Sequence, residues 1–182
     1  MNTRLALTAT SIVMAACLLL PLETHAAGNP TSSSAPVAQK RKNWHAPPGR
    51  LLGQKLVDQA MARHPELLSL TLHGIPPGTT VHTMFAGSFP KRIGNADDPD
   101  DIAAQDNGLT VLDPALRHDN KFVVFVPMRD VSGRRIGTAV LAFKKGVERQ
   151  RTALQYYRMA LRVRKELQTG TPSFEALFRV TR

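Results

Sequence analysis

The stretch Lys121–Phe143 constrains the fold of this chain more than any other part of the sequence. Two runs rich in β-branched and aromatic residues, Phe122–Met128 and Ile136–Phe143, flank a short polar segment that contains Asp130 and Gly133. This pattern is typical of a β-hairpin. Both runs are apolar at nearly every position, so both faces of these strands should be covered by protein. The hairpin is therefore expected in the middle of a sheet.

The rest of the chain predicts an α+β domain around this hairpin. Apolar residues at helical spacing predict helices, and alternating apolar and polar residues predict strands. The predicted elements, in chain order, are a helix at Leu51–His64, strands at Leu67–Ile75 and Thr80–Ala86, a short helix ending at Asn107, a strand at Leu109–Leu112, the hairpin, and a long helix at Val147–Gln168. Together they predict an antiparallel five-stranded sheet with an N-terminal helix, a short lid helix and a long C-terminal helix.

The long helix is expected to bury one face and to expose a basic one. The predicted apolar face carries Val147, Leu154, Tyr157 and Leu161, with Ala153, Tyr156, Ala160 and Leu167 beside it, and the opposite face carries Arg149, Arg151, Arg158, Arg162 and Lys165. After the helix, Phe174–Phe178 is apolar enough to pack back on the domain.

The acidic segment Asp97–Asp101 resembles a metal-binding loop, but a helix start explains it better. Asp98 suits an N-cap, Pro99 suits the first helical position, and acidic residues favour the positive end of a helix dipole. A calcium loop would need acidic groups on alternate residues, a glycine and a distal glutamate. The sequence therefore predicts that the short helix begins here.

The N-terminus has the pattern of a cleaved signal peptide. A short positive region is followed by the apolar stretch Leu5–Leu22 and by small residues near Ala26. The alternative, a lipoprotein with acylated Cys17, is disfavoured by the apolar residues that follow that cysteine. The expected organisation is a signal peptide at residues 1–26, a disordered basic leader at 27–50 and a single domain at 51–182, in which Trp44 docks the leader onto the domain.

Charge and cysteine content narrow the classes of function. Cleavage after Ala26 would remove Arg4 and Glu23 together, so the mature chain keeps the net charge of +10. It would also remove Cys17, which excludes disulfides, thiol catalysis and cysteine-ligated metals. Such a basic exported protein is expected to meet an anionic ligand, an acidic partner or an anionic membrane surface, and not nucleic acid. The predicted location is the periplasm.

Polar residues on the first two predicted strands are candidates for a binding site. Thr71, His73, His82 and Met84 would lie side by side if these strands pair antiparallel. Two histidines and a methionine are ligands for copper, nickel or haem iron. Ordinary histidines on a half-exposed sheet are the simpler interpretation, because no metal-spacing motif such as H-x-x-x-H occurs. No metal or cofactor is therefore predicted.

Two arginines are candidates for holding an anionic ligand. Arg92 lies in the segment Gly87–Asn107, the natural lid over one face of the sheet, and Arg129 ends a central strand. A guanidinium can hold a carboxylate through two hydrogen bonds. Asp130 with Gly133 is most simply a tight turn, in which the aspartate accepts hydrogen bonds from nearby backbone amides. The alternative is that Arg129 and Asp130 lie at the mouth of a pocket and bind the charged ends of a small ligand.

Several short motifs, taken in order, resemble the extracytoplasmic PAS-like sensor domains called Cache domains. They are His64-Pro65-Glu66, His73 before Pro76-Pro77-Gly78, Arg92-Ile93-Gly94 followed by Asp97 and Asp101, and Val126-Pro127-Met128-Arg129-Asp130 with Gly133 and Ile136-Gly137. The similarity covers about Leu51–Phe178. It implies a ligand pocket on the sheet and no catalysis.

Unlike the usual Cache receptors, this sequence shows no second apolar stretch of membrane-spanning length and no signalling module. Any signal is therefore expected to pass to a separate partner, such as a membrane-bound signalling protein. No nucleophile elbow or glycine-rich phosphate loop is present, and no enzyme is predicted. The expected function is a periplasmic, non-catalytic binding or sensor module for a small anionic ligand. The alternatives are a basic adaptor that contacts an anionic membrane or partner, and a His/Met metal- or haem-binding protein.

Overall fold

The computed structural model of the protein describes residues 41–113, 120–145 and 151–181. The elements in chain order are α1 (Leu52–Arg63), β1 (Leu67–Gly74), β2 (Thr83–Gly87), α2 (Pro99–Asn107), β3 (Val111–Asp113), β4 (Lys121–Arg129), β5 (Arg135–Lys144) and α3 (Ala153–Thr169). Short 3₁₀ turns lie at Pro90–Arg92 and Glu175–Phe178. The predicted signal peptide with Cys17, the leader up to residue 40, and the helical positions Val147 and Arg149 lie outside the described residues.

All five strands form one antiparallel sheet in the order β2-β1-β5-β4-β3. The β4–β5 hairpin is central, and nearly every residue of β4 is buried. The predicted α+β fold, with its N-terminal, short and long C-terminal helices, is confirmed. Some strand limits differ from the prediction, since β2 begins at Thr83 and β3 spans Val111–Asp113.

The hairpin turn is held by one aspartate and one glycine. The Oδ1 atom of Asp130 accepts hydrogen bonds from the backbone N–H groups of Ser132 and Arg134, both at 3.0 Å, and from the Ser132 hydroxyl at 2.6 Å. Gly133 has φ +86°, which a side chain disfavours. These hydrogen bonds, with the Ser132 hydroxyl foremost, hold the pKa of Asp130 below its usual range. The turn has the structure that its sequence predicts.

One face of the sheet carries the main core, which α1 and α3 cover. The Tyr156 ring stacks on Phe122 with centroids 4.3 Å apart and also contacts Phe143. The buried residues of α3 are Tyr156, Ala160, Val163 and Leu167. The predicted apolar face is therefore wrong by about one position, and Leu154 is 53% exposed. The predicted basic face is exposed at Arg158, Arg162 and Lys165.

The opposite face of the sheet is covered by α2, which contacts β1, β4 and β5. A smaller apolar cluster lies beneath it, formed by Ala104, Val123, Phe125 and Ala142. As predicted, α2 begins at Pro99 with Asp98 as N-cap, and the reciprocal bonds of a capping box join Asp98 and Asp101. Gly108 ends the helix with φ +61°. The short helix is thus fixed at both ends over the sheet.

The two ends of the described chain pack against the same region of the domain. The ring of Trp44 lies edge-on to Phe178, with centroids 5.9 Å apart, and Phe178 contacts Phe85. Backbone pairing of Lys42 with Asn95 holds the preceding segment. No described helix combines the length and apolar character needed to cross a membrane.

Candidate functional site

A buried histidine lies where α2 crosses the end of β1. The Nδ1 atom of His73 is 2.8 Å from Oδ1 of Asp97, and its Nε2 atom is 2.8 Å from the hydroxyl of Thr71. His73 is 7% exposed and the Asp97 side chain is 1% exposed. A second carboxylate, Oδ2 of Asp101, is 4.0 Å from the same His73 Nδ1 atom. These side chains form what we call the His73 cluster: Thr71, His73, Asp97 and Asp101.

The N-terminal end of α2 brings the carboxylates to His73. Asp97 lies just before the N-cap and Asp101 in the first turn of α2, so the helix start places both over β1. Gln105, one turn further on, donates from Nε2 to Oδ2 of Asp97 at 2.6 Å. This hydrogen bond fixes Asp97 with its other oxygen toward His73.

The electrostatics of the His73 cluster are those of a crowded, desolvated site. Burial raises the pKa of Asp101, the nearby charge of His73 opposes that change, and the negative charge of Asp97 adds to it. Two carboxylates therefore share a largely buried place beside a single imidazole.

A buried hydroxyl without a partner lies on the same face of the sheet. Thr138 of β5 pairs directly with His73 of β1, and side chains of directly opposed residues project from the same face. Thr138 is 1% exposed, and its Oγ1 atom has no hydrogen-bond partner among the described residues. A buried hydroxyl in that state costs free energy, so it calls for an explanation.

The close approach of β1 and β5 at this point depends on Gly137. A Cβ atom at this position would lie 2.3 Å from the carbonyl oxygen of His73, and φ is +140°. Only glycine fits here, because a side chain would clash with the neighbouring strand and because the positive φ disfavours any residue with a Cβ atom. Gly137 thus keeps His73 and Thr138 adjacent.

A cleft of about 270 Å³ opens beside the His73 cluster. It lies between the end of β1, the start of β5, the last turn of α2 and the C-terminal segment. The residues that line it are Gly74, Ile75, His82, Gln105, Asp106, Arg134, Arg135, Ile136, Gly137, Phe174 and Glu175. Gln105 belongs to both places, because its Oε1 atom lies 3.3 Å from Nδ1 of His82 while its Nε2 atom bonds Asp97.

The two arginines of the cleft differ in how their charges are paired. Arg134 donates to Asp130 at 3.1 Å and lies 3.7 Å from Glu175. Arg135 donates to the backbone carbonyl of Asp106 at 3.2 Å, and in the described part of the chain it forms no ion pair with a carboxylate. Arg135 therefore offers an available positive charge at the cleft wall.

The structure brings together some of the predicted site residues. Thr71 and His73 are hydrogen bonded, and Met84 is buried opposite His73 in the β1–β2 pairing. His73 and His82 do not meet across the sheet, because β2 begins after His82 and the register shifts between Leu72 and His73. His82 lies instead near Gln105 and 3.6 Å from Asp106.

Three predicted ligand-binding residues lie elsewhere. Arg92 is exposed, with its guanidinium 5.4 Å from the centre of the Phe89 ring. Arg129 is also exposed and donates to the carbonyl of Gly133 at 2.7 Å. The Asp130 side chain accepts hydrogen bonds within the hairpin turn. None of the three lines this cleft, and a pocket bordered by Arg92 and Arg129 stays a prediction.

Sequence reasoning missed the residues that join α2 to the sheet. The acidic segment that holds Asp97 and Asp101 is a helix start, as predicted, but a carboxylate at a helix start can also face His73. Gln105, Arg135 and Thr138 carried no signal of their own. Arg134 and Arg135 follow Gly133 in the sequence, but the face of the hairpin on which each lies depends on the strand register.

Comparisons with known proteins add little to this geometry. No protein-family model and no curated protein matches the chain. Among solved structures, the crystal structure of the repressor BlcR from Agobacterium tumefaciens matches at a TM-score of 0.41 and 12% sequence identity, over 71% of this chain and 68% of that one. A similarity this weak supports no conclusion about function.

Proposed function

We propose that this protein is a non-catalytic binding module for a small anionic ligand, and that the ligand occupies the cleft beside Arg135. The observation that carries the proposal is the Arg135 guanidinium, which lies in a concave site and donates to a backbone carbonyl. A carboxylate can accept two parallel hydrogen bonds from such a group.

The size and charge of the cleft limit the ligand. About 270 Å³ is slightly below the range of drug-sized pockets, which favours a short carboxylic acid over a nucleotide or a sugar chain. Arg134 is already compensated by Asp130 and Glu175, so Arg135 supplies the remaining positive charge. Asp106 on the wall would suit an additional ammonium group of the ligand.

The wider role is part of the same proposal. The N-terminal sequence pattern supports export to the periplasm, and the resemblance to Cache sensor domains supports ligand recognition without turnover. A signal would then pass to a separate membrane-bound protein. N-terminal sequencing of the secreted chain tests cleavage of the signal peptide after Ala26, since a chain that begins at acylated Cys17 would contradict it.

Ligand binding is tested by thermal unfolding of the mature protein with a panel of small carboxylates and amino acids. A ligand present at 100 times its Kd stabilises the folded state by about 2.7 kcal/mol. We expect Arg135→Gln to remove the stabilisation. Arg129→Gln is the matched control, because Arg129 is an exposed arginine opposite Arg135 in the hairpin that does not line the cleft.

Two results would contradict this proposal. One is a hit from the panel that Arg135→Gln and Arg129→Gln affect equally, because binding would then lie outside the cleft. The other is chemical turnover of the bound ligand by the purified protein, which would reject a purely binding role. Loss of binding in Arg135→Gln alone, with an unchanged far-UV circular dichroism spectrum, supports it.

The second candidate function is a basic adaptor, and one observation favours it. The outer face of α3 exposes Arg158, Arg162 and Lys165, and near its start Leu154 is 53% exposed. Cosedimentation with vesicles that contain anionic lipid, at low and high salt, tests this function. Salt-sensitive binding that is lost when the three basic residues become glutamine would support an adaptor.

A further inference from the structure

We propose that the His73 cluster, together with Thr138, binds one divalent transition-metal cation. The ligand atoms that His73, Asp97 and Asp101 offer all lie within 4.8 Å of one another. One imidazole nitrogen and two carboxylate oxygens form a mixed nitrogen and oxygen donor set, which suits Zn²⁺ or Mn²⁺. This site is separate from the proposed anion cleft.

Burial distinguishes the cluster from ordinary surface carboxylates. The Asp97 side chain is 1% exposed, the His73 side chain 8% and the Asp101 side chain 16%. Two carboxylates are thus held close together and largely away from water, and a bound cation would offset their charge.

Thr138 gives a second, independent indication of a ligand. Its hydroxyl is buried and has no partner among the described residues, and Thr138 lies directly opposite His73 on the face that α2 covers. A cation, or a water bound to that cation, would satisfy this oxygen. The same argument cannot be made for Thr71, whose hydroxyl already meets Nε2 of His73 at 2.8 Å.

The groups around the cluster already orient its ligands. The Thr71 hydroxyl can accept from Nε2–H of His73, which leaves Nδ1 as the atom that faces both carboxylates. Gln105 donates to the outer oxygen of Asp97 at 2.6 Å. Such outer hydrogen bonds fix the tautomer and direction of metal ligands in known sites. Nδ1 would bind the cation in its unprotonated form.

The test is isothermal titration of the untagged mature protein with Zn²⁺ and Mn²⁺, with Ca²⁺ and Mg²⁺ as comparison ions. We expect one Zn²⁺ per chain, with weaker binding of the two hard ions. Asp101→Asn should weaken Zn²⁺ binding by more than about tenfold. Asp100→Asn is the matched control, because Asp100 is an exposed carboxylate one residue away in the same helical turn.

Two further measurements identify the ligands. Visible absorption of the Co²⁺-loaded protein should change in Asp101→Asn and stay the same in Asp100→Asn. Thr138→Val keeps the shape of the side chain without the hydroxyl, and it should weaken binding while the apoprotein remains folded. Failure to bind Zn²⁺ or Mn²⁺, or equal losses in Asp101→Asn and Asp100→Asn, would overturn the proposal.

Discussion

Replacing Gly137 with alanine should destabilise the protein strongly, because two separate costs meet at this residue. Its φ of +140° is disfavoured for alanine, at about 1 to 3 kcal/mol. The new Cβ atom would also lie 2.3 Å from the carbonyl oxygen of His73, which is backbone and cannot rotate away. Forcing such contacts costs about another 1 to 3 kcal/mol. The expected loss of unfolding free energy is therefore about 2 to 6 kcal/mol.

Gly133→Ala is the matched control for this experiment. Gly133 has φ +86° in the same hairpin, but a Cβ atom added there would have no neighbouring atom within 4 Å. Only the conformational cost applies there, about 1 to 2 kcal/mol. Urea denaturation of both variants measures the difference. If the two variants lose the same free energy, the close approach of β1 and β5 at Gly137 is refuted.

Two further predictions concern the helix packing and the hairpin turn. Tyr156→Ala should cost about 3 to 5 kcal/mol of unfolding free energy, because the buried ring of Tyr156 stacks on Phe122. Tyr157→Ala, at a half-buried neighbour, should cost less than about 2 kcal/mol. Equal losses in urea denaturation would place α3 in the register that the sequence predicted. The pKa of Asp130 is lower in the folded protein than the ordinary value of 3.8, so the stabilisation that the Asp130 carboxylate provides is present above that value and is lost as the pH falls through the folded pKa. Asp130→Asn should therefore flatten the loss of stability below about pH 4. The measurement is the melting temperature as a function of pH, and an unchanged fall below about pH 4 would contradict this prediction.

Local signals in the sequence were sufficient for the elements whose ends are set by local chemistry. Asp98 and Pro99 start α2 because an N-cap and a first-turn proline act within one helical turn. Asp130 and Gly133 make the hairpin turn for the same reason. These interactions join residues at most four positions apart, so no tertiary information is needed to find them.

The helix register of α3 could not be found in this way. Leu154, Tyr157 and Leu161 make an apolar stripe as convincing as that of Tyr156 and Ala160. The choice depends on the aromatic rings of β4 and β5 that receive the tyrosine, and these lie on distant parts of the chain. Tertiary packing thus decided between two faces of similar hydrophobicity.

The candidate site was only partly predictable because its contacts span long distances in sequence. Thr71 and His73 are two residues apart on one strand, and their proximity followed from the strand pattern. Asp97 lies 24 residues from His73 and reaches it only after α2 folds back over the sheet. Arg135 lines the cleft and Arg129 does not, although the two are paired in the hairpin, whose register is irregular between Met128 and Arg129.

The position of Gln105 has a consequence for how the two proposed sites would influence each other. One end of this amide bonds Asp97 in the His73 cluster, and the other end faces His82 on the wall of the cleft. A ligand that draws Gln105 or His82 toward itself would change how firmly Asp97 is held. Thermodynamic linkage then requires the effect to be mutual, so that the cation alters the affinity for the anion by the same factor as the anion alters the affinity for the cation. The side chain of Gln105 would thus couple cation binding at the His73 cluster to anion binding in the cleft.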